Sequence, residues 1–117
     1  MATVNALKVN SNEKTTSYKW EGLGQGDVGA SIRAGHLSDK TVTATGSFSG
    51  SGSVPMQGSN DGTNWFALTD AGDAAIAFAA AGGEVIIENP LFIRPGPVAS
   101  GDGSTDIDII IAAQTLK

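Results

Sequence analysis

The chain has 117 residues, no cysteine and a formal net charge of −5. That composition excludes thiol nucleophiles and cysteine metal sites, and it offers no basic footprint for nucleic acid. A chain of this length can bury roughly 65% of its unfolded surface in one core without disulfides.

The charge is unevenly placed. Residues 1–60 hold five Lys/Arg and four Asp/Glu, whereas residues 61–117 hold two and eight. Gly, Ala, Ser and Thr are abundant, which suits an interaction-bearing surface because small side chains lose little entropy when ordered. No apolar run approaches the about 18 residues of a membrane span. The first residues lack a basic stretch followed by a long apolar one, so no signal peptide is expected and the chain is expected to be made in a cytoplasm.

Residues 1–17 are polar and without period, and read as an N-terminal arm or a short edge strand. "TSYKWEGL", 16–23, reads as a strand with Tyr18 and Trp20 on one face. "VGASIRAG", 28–35, is a weaker strand, and "HLSDK", 36–40, reads as a turn. "TVTATGSF", 41–48, alternates cleanly, with Val42, Ala44, Gly46 and Phe48 on one face and hydroxyls on the other. After the turn "SGSGS", "VPMQGS" is a strand with Val54 and Met56 inward, and Pro55 is expected to put it at an edge or leave it paired on one side at that position.

Asn60, Asp61 and Gly62 then form a structural turn, since these residues tolerate the positive φ that hairpins require. Trp65 and Leu68 follow as core residues. "DAGDAAIAFAAAGGE", 70–84, fits either a capped helix or a strand, and the spacing of Ile76 and Phe78 favours strand. "EVIIE", 84–88, is a strand. "LFIRPGPV", 91–98, is extended and confined to an edge by Pro95 and Pro97. "DIDIIIAA", 106–113, sends Ile107, Ile109 and Ile111 inward and Asp106 and Asp108 outward. With Phe48, Trp65 and Leu68, these isoleucines make the expected core. Short strands every 8–12 residues with Gly/Asn/Asp punctuation predict an all-β antiparallel sandwich over 18–117.

The catalytic inventory is thin. His36 is the single histidine and sits in a predicted turn. The carboxylate pairs Asp70/Asp73, Glu84/Glu88 and Asp106/Asp108 read as solvated faces, and no GxSxG elbow is present. "NDGTN" offers Asn60, Asp61 and Asn64 oxygens but lacks the ligand spacing of a calcium loop. "GLGQGD" lacks the strand-to-helix setting of a nucleotide fingerprint. Trp20 and Trp65 could stack on sugar rings, although a packed tryptophan is the plainer reading. No catalytic, metal or cofactor-binding residue is expected, and no cofactor.

The runs "TVTATGSFSGSGSVPMQGSNDGTNWFALTDA" and "AIAFAAAGGEVIIENPLFIRPGPVASGDGSTDIDIII" resemble a recurrent pattern of small structural proteins of tailed bacteriophages, over about residues 28–113. The carrying elements are the Thr/Val strand, the "QGSNDGTNW" hairpin, the "IAF" segment and "IRP" before the last Gly-rich turn. Such proteins include capsid decoration, or cement, proteins. The resemblance implies a β-sandwich, with a jelly roll among its arrangements, and a non-enzymatic virion structural protein on the outer capsid surface. Its partners would be the major capsid protein and further copies in a homo-oligomer, with neither nucleic acid nor membrane. "SNDGTNW" is also similar to a hairpin of discoidin-type sugar- or lipid-binding sandwiches. The alternative function is a carbohydrate-binding module or adhesin-type domain of a fibre or spike, using Trp65, Asn64 and Asp61.

Overall fold

Side chains that alternate between hydroxyl and apolar along residues 41–45 place Val42 and Ala44 in the core and Thr41, Thr43 and Thr45 in solvent, the period of a half-buried strand. The computed structural model describes residues 2–11 and 14–115. Among the described residues twelve strands follow in chain order: β1 (Thr3–Val4), β2 (Leu7–Ser11), β3 (Thr15–Leu23), β4 (Val28–Gly29), β5 (Ile32–Arg33), β6 (Leu37–Ser47), β7 (Val54–Ser59), β8 (Phe66–Ala67), β9 (Ala77–Phe78), β10 (Gly82–Val85), β11 (Phe92–Pro95) and β12 (Asp106–Thr115).

One sheet has the order β10-β6-β12-β3-β2. The second runs β5-β11-β7-β8, with β9 also paired to β7. A short parallel pair joins β1 to β4. The chain passes back and forth between the two sheets. Taking the eight strands β3, β5, β6, β7, β8, β10, β11 and β12 as first to eighth, one sheet reads sixth-third-eighth-first and the other second-seventh-fourth-fifth. This is the interleaving of a jelly roll. The fold is therefore all-β and antiparallel, and residues 70–84 contain strand and irregular chain rather than helix.

The core lies between the sheets. Ile107, Ile109 and Ile111 of β12, Val42 and Ala44 of β6 and Trp20 and Leu23 of β3 face Val54 and Met56 of β7 and Ile93 of β11. Leu68 and Ile76 are buried with them, while Phe48 is only partly buried against the cluster.

Several local expectations are corrected. The segment 36–40 is not a turn: only Gly35 and His36 turn, and β6 begins at Leu37. A register shift against β12 near Ser38, with Asp39 at φ 48°, re-phases the strand so that both Leu37 and Lys40 point inward. Of the two readings of residues 1–17, the edge strand holds for the described residues 2–11 and 14–17 and the free arm does not, since β2 is the outer strand of its sheet. β2 pairs with β3, β1 pairs with β4, Val4 and Ala6 pack on the core, and β3 already begins at Thr15. No period shows there because β1 is two residues long and β2 has a register shift between Lys8 and Asn10. β11 is interior, between β5 and β7. Pro95 is tolerated because β5 opposes only Phe92 and Ile93, so no neighbour there needs its missing N–H. β7 is likewise interior and not an edge, and at Pro55 its ladder partner is β9 alone, so pairing on one side holds at that position. Only Gly82–Val85 of the region around "EVIIE" is strand, and 86–90 is irregular.

Gly29 sits where the sheets meet. A Cβ there would lie 2.5 Å from Pro95 Cδ and 2.7 Å from Trp20 Cδ1. Gly29→Ala should therefore destabilise the domain by about 1–3 kcal/mol through overpacking. Gly103→Ala, at a site with nothing within 4 Å of the added carbon, should be nearly neutral. Urea unfolding of both variants measures the contrast, and equal stabilities would refute this packing.

Candidate binding surface

The hairpin from β7 to β8 is closed by residues 60–65. Ser59 is fully buried. Its Oγ accepts the Gly62 N–H at 2.8 Å and the Asp61 N–H at 3.2 Å, and donates to Asp61 Oδ1 at 3.0 Å. The same Oδ1 accepts the backbone N–H groups of Thr63 and Asn64, each at 2.8 Å, and Oδ2 accepts Asn64 Nδ2 at 2.7 Å. These bonds, led by the Asn64 and Thr63 amides, hold the Asp61 carboxyl well below the usual carboxylate range. Gly62 takes φ +79°. Asn60 Oδ1 accepts the Leu91 N–H at 3.2 Å. Asn60, Asp61 and Gly62 thus build the loop itself. The Asp61 and Asn60 oxygens are turned onto backbone and neighbouring side-chain donors instead of converging on a cation.

Trp65 is only half-buried and lies outside the core, contrary to the sequence expectation. It follows the loop and precedes a two-residue strand at the end of its sheet, so no second layer covers it. The Arg94 guanidinium lies 4.0 Å from its ring centroid, and Arg94 Nε donates to Gln57 Oε1 at 2.9 Å. β11 and β7 hold that pair in register, Arg94 opposite Gln57. Phe66 is 39% exposed. With Asn60, Asp61 and Asn64 it lines a shallow depression of about 260 Å³. The core tryptophan is Trp20, whose Nε1 donates to Ala30 O at 2.8 Å.

A second polar cluster had no clear sequence signal. The Lys40 side chain is fully buried, and its Nζ donates to Asn89 Oδ1. Glu88 accepts the backbone N–H of Thr69 at 2.8 Å and also its hydroxyl. These bonds tie the irregular 86–90 segment to β6 and to the chain after β8. Burial pushes the Lys40 ammonium below the usual lysine range, partly offset by Asp39 and Glu88. The only hint in the sequence is that Lys40 falls in phase with Val42 and Ala44.

The remaining candidates lie apart. His36 is exposed in its turn. Asp70 Oδ1 accepts the Gly72 and Ala74 N–H groups, and Asp108 Oδ1 accepts that of Gly22. Among the described residues no three His, Asp or Glu side chains gather as a metal-binding group, and no helix is long and apolar enough to cross a membrane.

No family model matches the chain, and no curated protein does. Solved structures do. The SPBc2 prophage-derived protein YomS is 19% identical, with a TM-score of 0.65 over 92% of this chain and 98% of that one. A cupin domain from Bordetella pertussis Tohama I is 11% identical, with a TM-score of 0.52 over 98% of each chain. At these identities the likeness shows a shared all-β fold.

Two outcomes follow from this placement of side chains. Trp20→Ala should cost about 3–5 kcal/mol, as for a fully packed aromatic. Trp65→Ala should cost only about 1 kcal/mol, mostly the exposed cation–π contact. Chemical denaturation ranks the two, and the reverse order would exclude this assignment of the core. For Lys40, the unfolded chain keeps its proton up to about pH 10.4, whereas the folded chain releases it earlier. Between the two values the unfolded state binds more protons, so stability rises with pH. Lys40→Met should remove that rise in unfolding titrations from neutral to alkaline pH; an unchanged slope would show that Lys40 is not its source.

Proposed function

We propose that this protein is a non-enzymatic virion structural protein, a capsid decoration or cement protein that binds major capsid subunits on the outer surface of the shell. The supporting observation is the match of a bare jelly roll, over nearly the full length of both chains, to a protein derived from a prophage. The polar groups best placed for chemistry point the same way, since those of Ser59, Asp61 and Glu88 are engaged in holding loops. The threonine face of β6, with Thr41, Thr43 and Thr45 exposed, is the neutral, small-residue surface assigned to docking. Many weak contacts on a symmetric shell add up through multivalency. Residues 2–15 are not assigned that role, because β1 and β2 are parts of the sandwich.

A second reading has its own observation: exposed Phe66 lines a shallow depression with Asn60, Asp61 and Asn64, an apolar ring beside polar side chains that suits a sugar ring. A carbohydrate-binding domain of a fibre or spike would use it.

Purified protein mixed with undecorated shells from the same source should co-sediment at micromolar concentration. Salt should weaken the binding only modestly, because screening acts chiefly on exposed charges. Failure to co-sediment at any salt concentration would sink the decoration reading, and selective retention on a glycan array lost in Phe66→Ala would replace it with the second.

A further inference from the structure

The sandwich leaves four strand edges, and they are unequal. The edges of the second sheet, β5 and β8, are two residues long, short enough to offer little template for pairing. Those of the first sheet are longer: β10 at one side and β2 at the other. Both carry apolar side chains in solvent. Val85 is 45% exposed on β10, and Leu7 and Val9 are 49% and 57% exposed on β2.

Their charges are complementary. β10 presents Glu84 and no base, and β2 presents Lys8 and no acid. Both side chains are exposed, and neither forms an ion pair among the described residues. They also lie on the same side of the sheet. Glu84 is in register with Val42, which is buried, and Lys8 with Tyr18, which packs on the core. Val85 and Leu7 lie on the opposite side, in register with Thr41 and Lys19. Four antiparallel steps separate β10 from β2, so the two edges run in the same direction.

We infer that copies of this chain associate head to tail, the β10 edge of one lying parallel to the β2 edge of the next, with Glu84 beside Lys8. In that register Val85 comes beside Val9 and Gly83 beside Leu7, so apolar side chains leave water while the charges pair. Pairing like edges instead would bring Glu84 towards Glu84 or Lys8 towards Lys8, and like charges across a strand pair are destabilising. The charge that blunts each edge against itself therefore selects the other edge. Such a contact is heterologous, and it closes into a ring when its rotation does. It requires no shell and is independent of the proposed capsid role.

The test uses the isolated protein in solution. Sedimentation velocity at micromolar concentration should show a discrete oligomer. Lys8→Glu alone or Glu84→Lys alone should weaken association by at least about tenfold, as attraction becomes repulsion. The double exchange Lys8→Glu with Glu84→Lys should restore it, which also controls for misfolding of either single variant. Because the chain has no cysteine, oxidising a mixture of Val9→Cys and Val85→Cys proteins should give cross-links containing one of each. A monomer at all concentrations, single variants that associate unchanged, a double exchange that fails to restore association, or cross-links only between identical variants would each overturn the head-to-tail contact. None of these results bears on docking to shells, and loss of shell docking would leave this contact standing.

Discussion

A buried indole must have an acceptor for its N–H, and that requirement organises one end of this sandwich. Trp20 fills the space between the sheets and donates to Ala30 O, which fixes the chain just after β4. Gly29 lies so close to the Trp20 ring and to Pro95 that a Cβ there would meet both. The same strap is held from outside: Val28 N donates to Ala2 O, Ala30 N to Val4 O, and Val98 N to Asp27 O. The first residues, the strap and the chain after β11 thus converge on one tryptophan. An unsatisfied N–H there would cost more than the bond itself contributes, so strap and ring stay together or the end opens.

What could be read from the sequence depended on whether burial and period agreed. They agree in 41–45 and 106–113, where apolar and hydroxyl or acidic residues alternate, and the fold class followed from such stretches. They disagree around Lys40. A lysine occupies a core-phase position and the shift near Asp39 changes the parity, so the start of β6 resembled a turn. Trp65 and Trp20 are alike in composition, and only topology separates them: β3 has a strand on each side, whereas Trp65 precedes a two-residue strand at a sheet's end. Pro95 misled because the rule against proline in central strands concerns ladder N–H groups, and β5 is too short to reach it. At the candidate surface, Asn60, Asp61 and Gly62 were legible as loop builders because their side chains act within a few residues. The Arg94–Trp65 stack and the Lys40–Asn89 contact join residues 29 and 49 positions apart, and no local pattern announces them.

The distribution of polar bonds bears on what the surface can do. Asp61, Asp70 and Asp102 each accept backbone N–H groups of their own loops, so three of the eight acids in residues 61–117 are occupied in shaping turns. The broad faces left between those turns are threonine- and alanine-rich. They offer shape and area in preference to strong charge, which suits contacts that repeat many times over contacts that must be tight singly.

The jelly-roll order also constrains how the chain reaches this state. β3 and β6 lie on either side of β12 and touch each other only through it. Its isoleucines complete the hydrophobic layer of the first sheet, yet they come last among the strands. Until residues 106–115 arrive, β3 has only β2 beside it and β6 only β10, so each keeps one open edge and the two pairs share no ladder. Most pairings join residues far apart in sequence, so loop-closure entropy is met before the contacts repay it, and such topologies fold slowly. The nascent chain spends that interval with open strand edges, the condition under which partly folded chains associate wrongly. Its many glycine- and serine-rich turns keep those intermediate lengths polar and flexible until the central strand closes the sheet.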